Sequence, residues 1–174
     1  MTEAVDMLAQ KNNDASHGPQ IWADLGSGSG MFTLALAGLL PPESIIHAVD
    51  TSMASLNKIP GQYNSVKIEK NQIDFVTNPL PFHNLDGILM ANSLHYVKDK
   101  KSFLTSLTTH LKNDGCFLIV EYDTDIPVST WVPYPVSFSL LKGLFVNAGY
   151  NTIHKINERA SVYGKLMYSA IIKK

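Results

Sequence analysis

Three glycines at alternate positions, Gly26, Gly28 and Gly30, separate two apolar runs, and this arrangement restricts the fold more than any other feature of the chain. Upstream lies Ile21-Trp22-Ala23, leading through Asp24-Leu25 into the glycines; downstream lies Met31-Phe32-Thr33-Leu34-Ala35-Leu36-Ala37. The pattern reads as a buried strand, a tight turn and a helix. Glycine tolerates positive φ and lets a ligand approach the backbone without a Cβ in the way. The first N–H groups of the following helix lack intrahelical partners, which favours polar or anionic ligand groups there. Asp24, two residues before Gly26, would repel a phosphate, so a cationic or zwitterionic ligand suits the turn better.

The rest of the chain repeats the strand–helix alternation. Strands are predicted over residues 20–24, 44–50, 65–70, 85–91 and 116–122, with helices over 31–39, 100–111 and 138–148 and shorter ones over 2–10 and after Thr51-Ser52. Pro41-Pro42 and Pro60-Gly61 end the helices before them. Asn113-Asp114-Gly115 reads as a turn, and Gly149 as the residue closing the last helix. Such alternation implies βαβ units and a doubly wound, mostly parallel sheet with helices on both faces, an α/β three-layer sandwich. The final pair, 151–156 and 166–173, is joined by too few residues for a crossover helix, so it is expected to form an antiparallel hairpin at one edge. Seven strands result.

Length and composition set further bounds. At 174 residues, without repeat or linker, a single domain over 1–174 is expected. A net charge of −1 and a single arginine, Arg159, argue against a surface built to clamp nucleic acid or anionic lipid. The lone Cys116 lies in an apolar strand and excludes an intrachain disulfide. The polar amino terminus does not resemble a signal peptide, and no apolar run approaches a bilayer span. A cytoplasmic protein that binds neither membrane nor metal is expected.

Asp50 stands twenty positions after Gly30 at the end of the second predicted strand. An acid at that distance grips ribose hydroxyls in Rossmann-like folds, although the same residue can simply cap Ser52-Met53. The glycine spacing itself is not the dinucleotide fingerprint, because Met31 occupies the place of its third glycine. Taken in order, four segments resemble the class I S-adenosylmethionine-dependent methyltransferases, most closely their ubiquinone/menaquinone-biosynthesis branch. They are Asp24-Leu25-Gly26-Ser27-Gly28-Ser29-Gly30, Asp50 with Ser52-Met53, Asp74 ahead of Leu80-Pro81-Phe82, and the run from Asp86 to Leu94-His95. Leu111-Lys112-Asn113-Asp114-Gly115 is similar to that family's Leu-Lys-Pro-Gly-Gly turn, with two replacements.

The resemblance implies S-adenosyl-L-methionine as cofactor. Gly26, Ser27, Gly28 and Gly30 would take its methionine and ribose portions, with Asp24 near the ammonium and Asp50 on the ribose hydroxyls. Thr51 would join these contacts, Met53 and Phe75 would flank the adenine, Asp74 would accept from its amine, and Ala91 and Asn92 would meet the methionine end. His95 follows directly. It reads either as a general base for an acceptor that must lose a proton, or as a residue that orients the loop.

Tyr96, Glu121, Trp131 and Tyr134 are candidate acceptor contacts, the last two on a proline-rich stretch, 124–136, that could form a wall or lid. With few residues before the first strand, the acceptor is expected to be a small molecule, or the site to be open or completed by a second subunit. Asn78-Pro79-Leu80-Pro81 is similar to the Asn-Pro-Pro-Tyr motif of enzymes that methylate adenine or glutamine, but it precedes the fourth strand instead of ending it. The alternative function is a non-catalytic module that binds S-adenosylmethionine.

Overall fold

β1 (Ile21–Leu25) is buried from Trp22 onward and lies at the centre of the sheet. The computed structural model describes residues 2–9, 18–161 and 166–174. On one side β1 pairs in parallel with β2 (Ile45–Asp50), which pairs in parallel with β4 (Val66–Gln72). On its other side β1 pairs in parallel with β5 (Leu85–Ala91), and β5 with β6 (Leu111–Tyr122). The strand order therefore reverses between β1 and β5. β6 then takes β8 (Leu166–Lys173) antiparallel, and β8 takes β7 (Thr152–Ala160) antiparallel, as the short connection predicts.

Alternation along the central strands feeds two cores. Ile88, Met90, Phe117 and Ile119 point to one face, where they meet Leu104 of α4 (Lys100–Leu107) and Leu141 and Phe145 of α5 (Phe138–Asn147). Leu89, Ala91, Leu118 and Val120 point to the other face, against α1 (Thr2–Leu8) and α2 (Met31–Ala37). A strand covered on both faces must be apolar throughout, which is why β5 and β6 read as continuous hydrophobic runs. The short α3 (Met53–Leu56) begins with Ser52, whose side chain accepts from Ser55 N.

Several elements differ from the sequence expectation. An eighth strand, β3 (Gln62–Tyr63), pairs antiparallel with β4 at the far edge. α4 stops at Leu107, a 3-10 turn covers Thr108–His110, and β6 already starts at Leu111. The predicted turn at Asn113-Asp114-Gly115 is instead an irregularity inside one strand, because Leu85 pairs with Leu111 while Gly87 pairs with Cys116. Asp86 holds this point: Oδ1 accepts from Lys112 Nζ at 2.7 Å and Oδ2 from Ile21 N at 2.8 Å. β7 also continues to Ala160, beyond the expected end at Ile156. The expected first helix ends at Leu8, and Gln10 lies outside the described residues. No helix among the described residues is long and apolar enough to cross a membrane.

Candidate functional site

The glycine turn after β1 is held by its backbone against β2. Gly26 N and Ser27 N both donate to Val49 O, at 2.8 and 2.9 Å, and Gly28 N donates to Asp50 Oδ2 at 2.9 Å. All three glycines have positive φ, from 53° to 91°. A Cβ on Gly26 would lie 2.5 Å from Ser93 Cβ, and one on Gly30 would lie 2.8 Å from Ile59 Cγ1. A Cβ on Gly28 would meet nothing within 4 Å. Two glycines are therefore required by packing, and the middle one leaves an open face where backbone can meet a ligand.

Asp24 is buried directly beneath this turn. Thr33 Oγ1 donates to its Oδ2 at 2.6 Å, while Oδ1 has no partner among the described residues. Burial pushes the Asp24 carboxyl up to about 7; the Thr33 hydrogen bond opposes this and the charge of Asp50 adds to it. Ser27 Oγ and Asn92 Oδ1 are likewise buried without partners. Asn92 has φ 54° directly after β5, and its N–H donates to Val120 O at 2.8 Å. These three oxygens stand on the residues at and just beyond the ends of β1 and β5, the point where the strand order reverses and where ligands bind in open α/β sheets. Buried polar atoms are otherwise nearly always paired, so an unpaired group of three here fits a polar ligand.

The remaining predicted cofactor residues are spread around this point. Asp50 Oδ1 accepts from Ser52 N at 2.8 Å, so its carboxylate ties the turn to the start of α3. Thr51 and Met53 are exposed, and Ala91 is buried. Asp74 Oδ1 accepts from Val76 N at 3.0 Å, which closes its own loop. The Phe75 ring borders the turn, its Cε1 3.6 Å from where a Gly26 Cβ would stand.

His95 sits in a 3-10 turn, Leu94–Tyr96, just past Asn92. Its backbone N donates to Glu121 Oε1 at 3.1 Å, and its Nδ1 lies 2.7 Å from Glu121 Oε2, with both residues buried. An ionised carboxylate only accepts, so Nδ1 carries the proton and Nε2 is left as the acceptor nitrogen. Both Glu121 oxygens thus face His95. A cavity of about 520 Å³ opens beside them, lined by Asn92, His95 and Tyr96 from the β5 end, and by Tyr122 and Thr124 from the β6 end. Val128, Thr130, Trp131 and Val132 form its outer wall. Tyr134 joins this wall to the site through its backbone, its N donating to His95 O at 3.0 Å.

One residue of this site escaped the sequence reading. Lys100 is buried, and its Nζ donates to Val97 O at 2.8 Å and to Tyr134 O at 2.7 Å. It clamps the 124–136 stretch against the segment that carries His95. Burial lowers its pKa, and the charge of Glu121 partly opposes that. A signal was present: a lysine in the first turn of α4, where the helix dipole disfavours a cation, needs a reason to be there.

Residues 23–117, more than half of the chain, match the family model described as Methyltransferase domain. An uncharacterized methyltransferase of Mycobacterium tuberculosis is 25% identical over 107 residues, which are 62% of this chain and 53% of that protein. The chain thus spans about half the length of the curated relatives it matches. Among solved structures, a SAM-dependent methyltransferase of Methanosarcina mazei superposes with a TM-score of 0.70 at 16% identity, over 92% of this chain and 95% of that one. The 1,6-didemethyltoxoflavin-N1-methyltransferase of Burkholderia thailandensis, with bound 1,6-didemethyltoxoflavin and S-adenosylhomocysteine, superposes with a TM-score of 0.70 at 16% identity, over 90% and 71%. At such identities the likeness carries the Rossmann-like fold. The family match begins on β1 and runs through the glycine turn, Asp50 and all of β5, and on that ground the chain belongs to the methyltransferase domain family.

Proposed function

We propose that the chain transfers a methyl group from S-adenosylmethionine to a small-molecule acceptor, as one domain of the ubiquinone/menaquinone-biosynthesis-like branch. The observation that carries this reading is the unpaired trio Asp24 Oδ1, Ser27 Oγ and Asn92 Oδ1 on residues at and just beyond the ends of β1 and β5, next in the chain to a glycine turn whose Gly28 leaves room for a ligand. A ligand with an ammonium and several hydroxyls satisfies such a set, and a phosphate beside Asp24 does not. Bound there, the cofactor supplies an electrophilic methyl on a sulfonium, whose sulfur keeps the electron pair of the broken S–C bond. Asp24, Ser27 and Asn92 would hold the amino-acid end, Asp50 the ribose, and Phe75, Met53 and Asp74 the adenine. Methyl transfer of this kind depends mainly on alignment of donor and acceptor, which buried strand ends provide.

His95 is the base for an acceptor that must lose a proton. Glu121 fixes the ring and its tautomer, and a positive charge formed on the imidazole would be met by the carboxylate 2.7 Å away. Tyr96 and Trp131 would contact the acceptor, with Tyr134 holding the wall behind it. The burial of Glu121 favours a supporting role over direct acceptor contact. A homo-oligomer or partner subunit would complete the open side of the cavity.

Calorimetric titration with S-adenosylmethionine and with NADH tests the donor. Saturable binding of the first alone, lost in Asp50→Ala, is expected. Binding of NADH in its place, or wild-type affinity in Asp50→Ala, would overturn the assignment. Firm cofactor binding without turnover across a broad acceptor panel would favour the non-catalytic module.

A further inference from the structure

Thr33 is the one polar residue of α2, and it lies on the buried face, beside Ala35, Leu36 and Ala37. A hydroxyl shut away from solvent is costly unless it finds a partner, and a β-branched side chain is stiff in a helix. The partner it finds is Asp24 Oδ2, at 2.6 Å, with both residues buried. α2 thus sends a donor back across the glycine turn to the strand it follows.

This bond makes the two oxygens of Asp24 unequal. The last torsion of an aspartate is broad and roughly two-fold, so an untethered carboxylate offers either oxygen to a ligand. With Oδ2 held by Thr33, Oδ1 is the oxygen left without a partner. A neutral carboxyl group carries its hydrogen on one oxygen, and here that is Oδ1, because Oδ2 already accepts. A proton and a ligand's ammonium therefore compete for the same atom, and an ammonium that takes Oδ1 sends the proton to solvent.

The surroundings of Asp24 supply no counter-charge among the described residues. α2 holds no titratable residue, and in the sheet Asp24 stands between Ala48 of β2 and Leu89 of β5. The charge that acts on it is the like charge of Asp50, whose oxygens accept from Gly28 N and Ser52 N. Burial and Asp50 both favour the neutral form of Asp24, and the Thr33 hydroxyl favours the ionised one.

We propose that Thr33 is a positioning residue for ligand binding, which holds Asp24 by Oδ2 so that Oδ1 is presented to an ammonium group. The inference rests on the proposed pairing of Asp24 with the amino-acid end of the cofactor. The probes are S-adenosylhomocysteine, which carries that end, and 5′-methylthioadenosine, which keeps the adenine, ribose and sulfur but lacks it. Affinity of the full chain for each is read by calorimetry from pH 6 to 9, in the wild type and in Thr33→Val, Thr33→Ala and Thr33→Ser.

At pH 7 the valine and alanine variants should bind S-adenosylhomocysteine roughly 5- to 50-fold more weakly, and 5′-methylthioadenosine within about twofold of the wild type. The rise of S-adenosylhomocysteine affinity with pH should move upward by about one unit in both variants, because a buried carboxylate without its donor holds a proton more tightly. Thr33→Ser restores the hydroxyl and should return affinity and pH profile close to those of the wild type. An equal loss of both ligands, an unshifted pH profile, or a serine variant that behaves like valine would overturn the inference, while wild-type binding of S-adenosylhomocysteine leaves the cofactor reading standing. A wild-type chain that takes no S-adenosylhomocysteine would remove the cofactor reading and this inference together.

Discussion

Nδ1 of His95 and Oε2 of Glu121 lie 2.7 Å apart at the inner end of the cavity, and the same carboxylate also accepts from the His95 backbone N–H. The histidine is thereby fixed both as a ring and as a piece of chain. His95→Ala should lower kcat by roughly 100- to 10,000-fold for an acceptor that must lose a proton, with cofactor affinity unchanged by calorimetry. Glu121→Ala should reduce kcat and also lower stability by about 1–3 kcal/mol in urea denaturation, because two donors lose their acceptor. An active His95→Ala enzyme would reduce His95 to an orienting residue.

Asp24 gives the fold a pH dependence of definite sign. Its carboxyl titrates at about 7 in the folded chain against an ordinary value of 3.8. Between these values the folded state keeps a proton that the unfolded state has released. Stability should therefore fall as pH rises from about 4 to 7 and level off above, by an amount on the order of 4 kcal/mol at most. Urea denaturation at several pH values should show this slope, and Asp24→Asn should flatten it.

The same group predicts how cofactor binding responds to pH. A bound ammonium favours the charged carboxylate, so affinity for S-adenosylmethionine should rise through pH 7 in the wild type and respond less in Asp24→Asn. Calorimetry across pH 6 to 8 reads it.

The glycines of the turn should separate folding from binding. Gly30→Ala places a Cβ 2.8 Å from Ile59 Cγ1 at a φ of 91°, and should cost about 1–3 kcal/mol in stability. Gly28→Ala meets no neighbour, so its cost is the backbone strain of positive φ, about 1 kcal/mol. Its loss of cofactor affinity should be the larger of the two. Thermal denaturation and calorimetry on the pair decide the order.

Lys100→Met should release the outer wall. Two carbonyls lose their donor, at a cost of about 1–3 kcal/mol. Acrylamide quenching should increase, since Trp131 is more than half exposed whereas Trp22 is buried. KM for the acceptor should rise with cofactor affinity unaffected.

The glycine turn and the strand ends beside it were legible from sequence because their requirements fall on few residues at fixed spacing. Gly26 and Gly30 answer to packing, Asp50 to a strand end, and β5 and β6 to burial on both faces. The two residues of β3 carry no periodicity, so that strand was invisible. Asn113-Asp114-Gly115 has the composition of a turn, and only the partner strand β5 shows that it bulges within β6. Beyond Ile156, β7 bears Glu158 and Arg159, which report solvent and not strand. Burial of Lys100 and Glu121 depends on the Tyr134 carbonyl and the His95 ring, brought from distant parts of the chain, which local sequence does not encode.

The wall formed by residues 124–136 is fastened near its end by two backbone bonds of Tyr134, while its middle makes the Val128–Val132 bridge within itself. Such a segment can be exchanged between relatives as a cassette, provided the backbone of residue 134 still reaches Lys100 and His95. Selectivity in this architecture can then drift in one short stretch of chain while the strand ends beneath it are inherited unchanged.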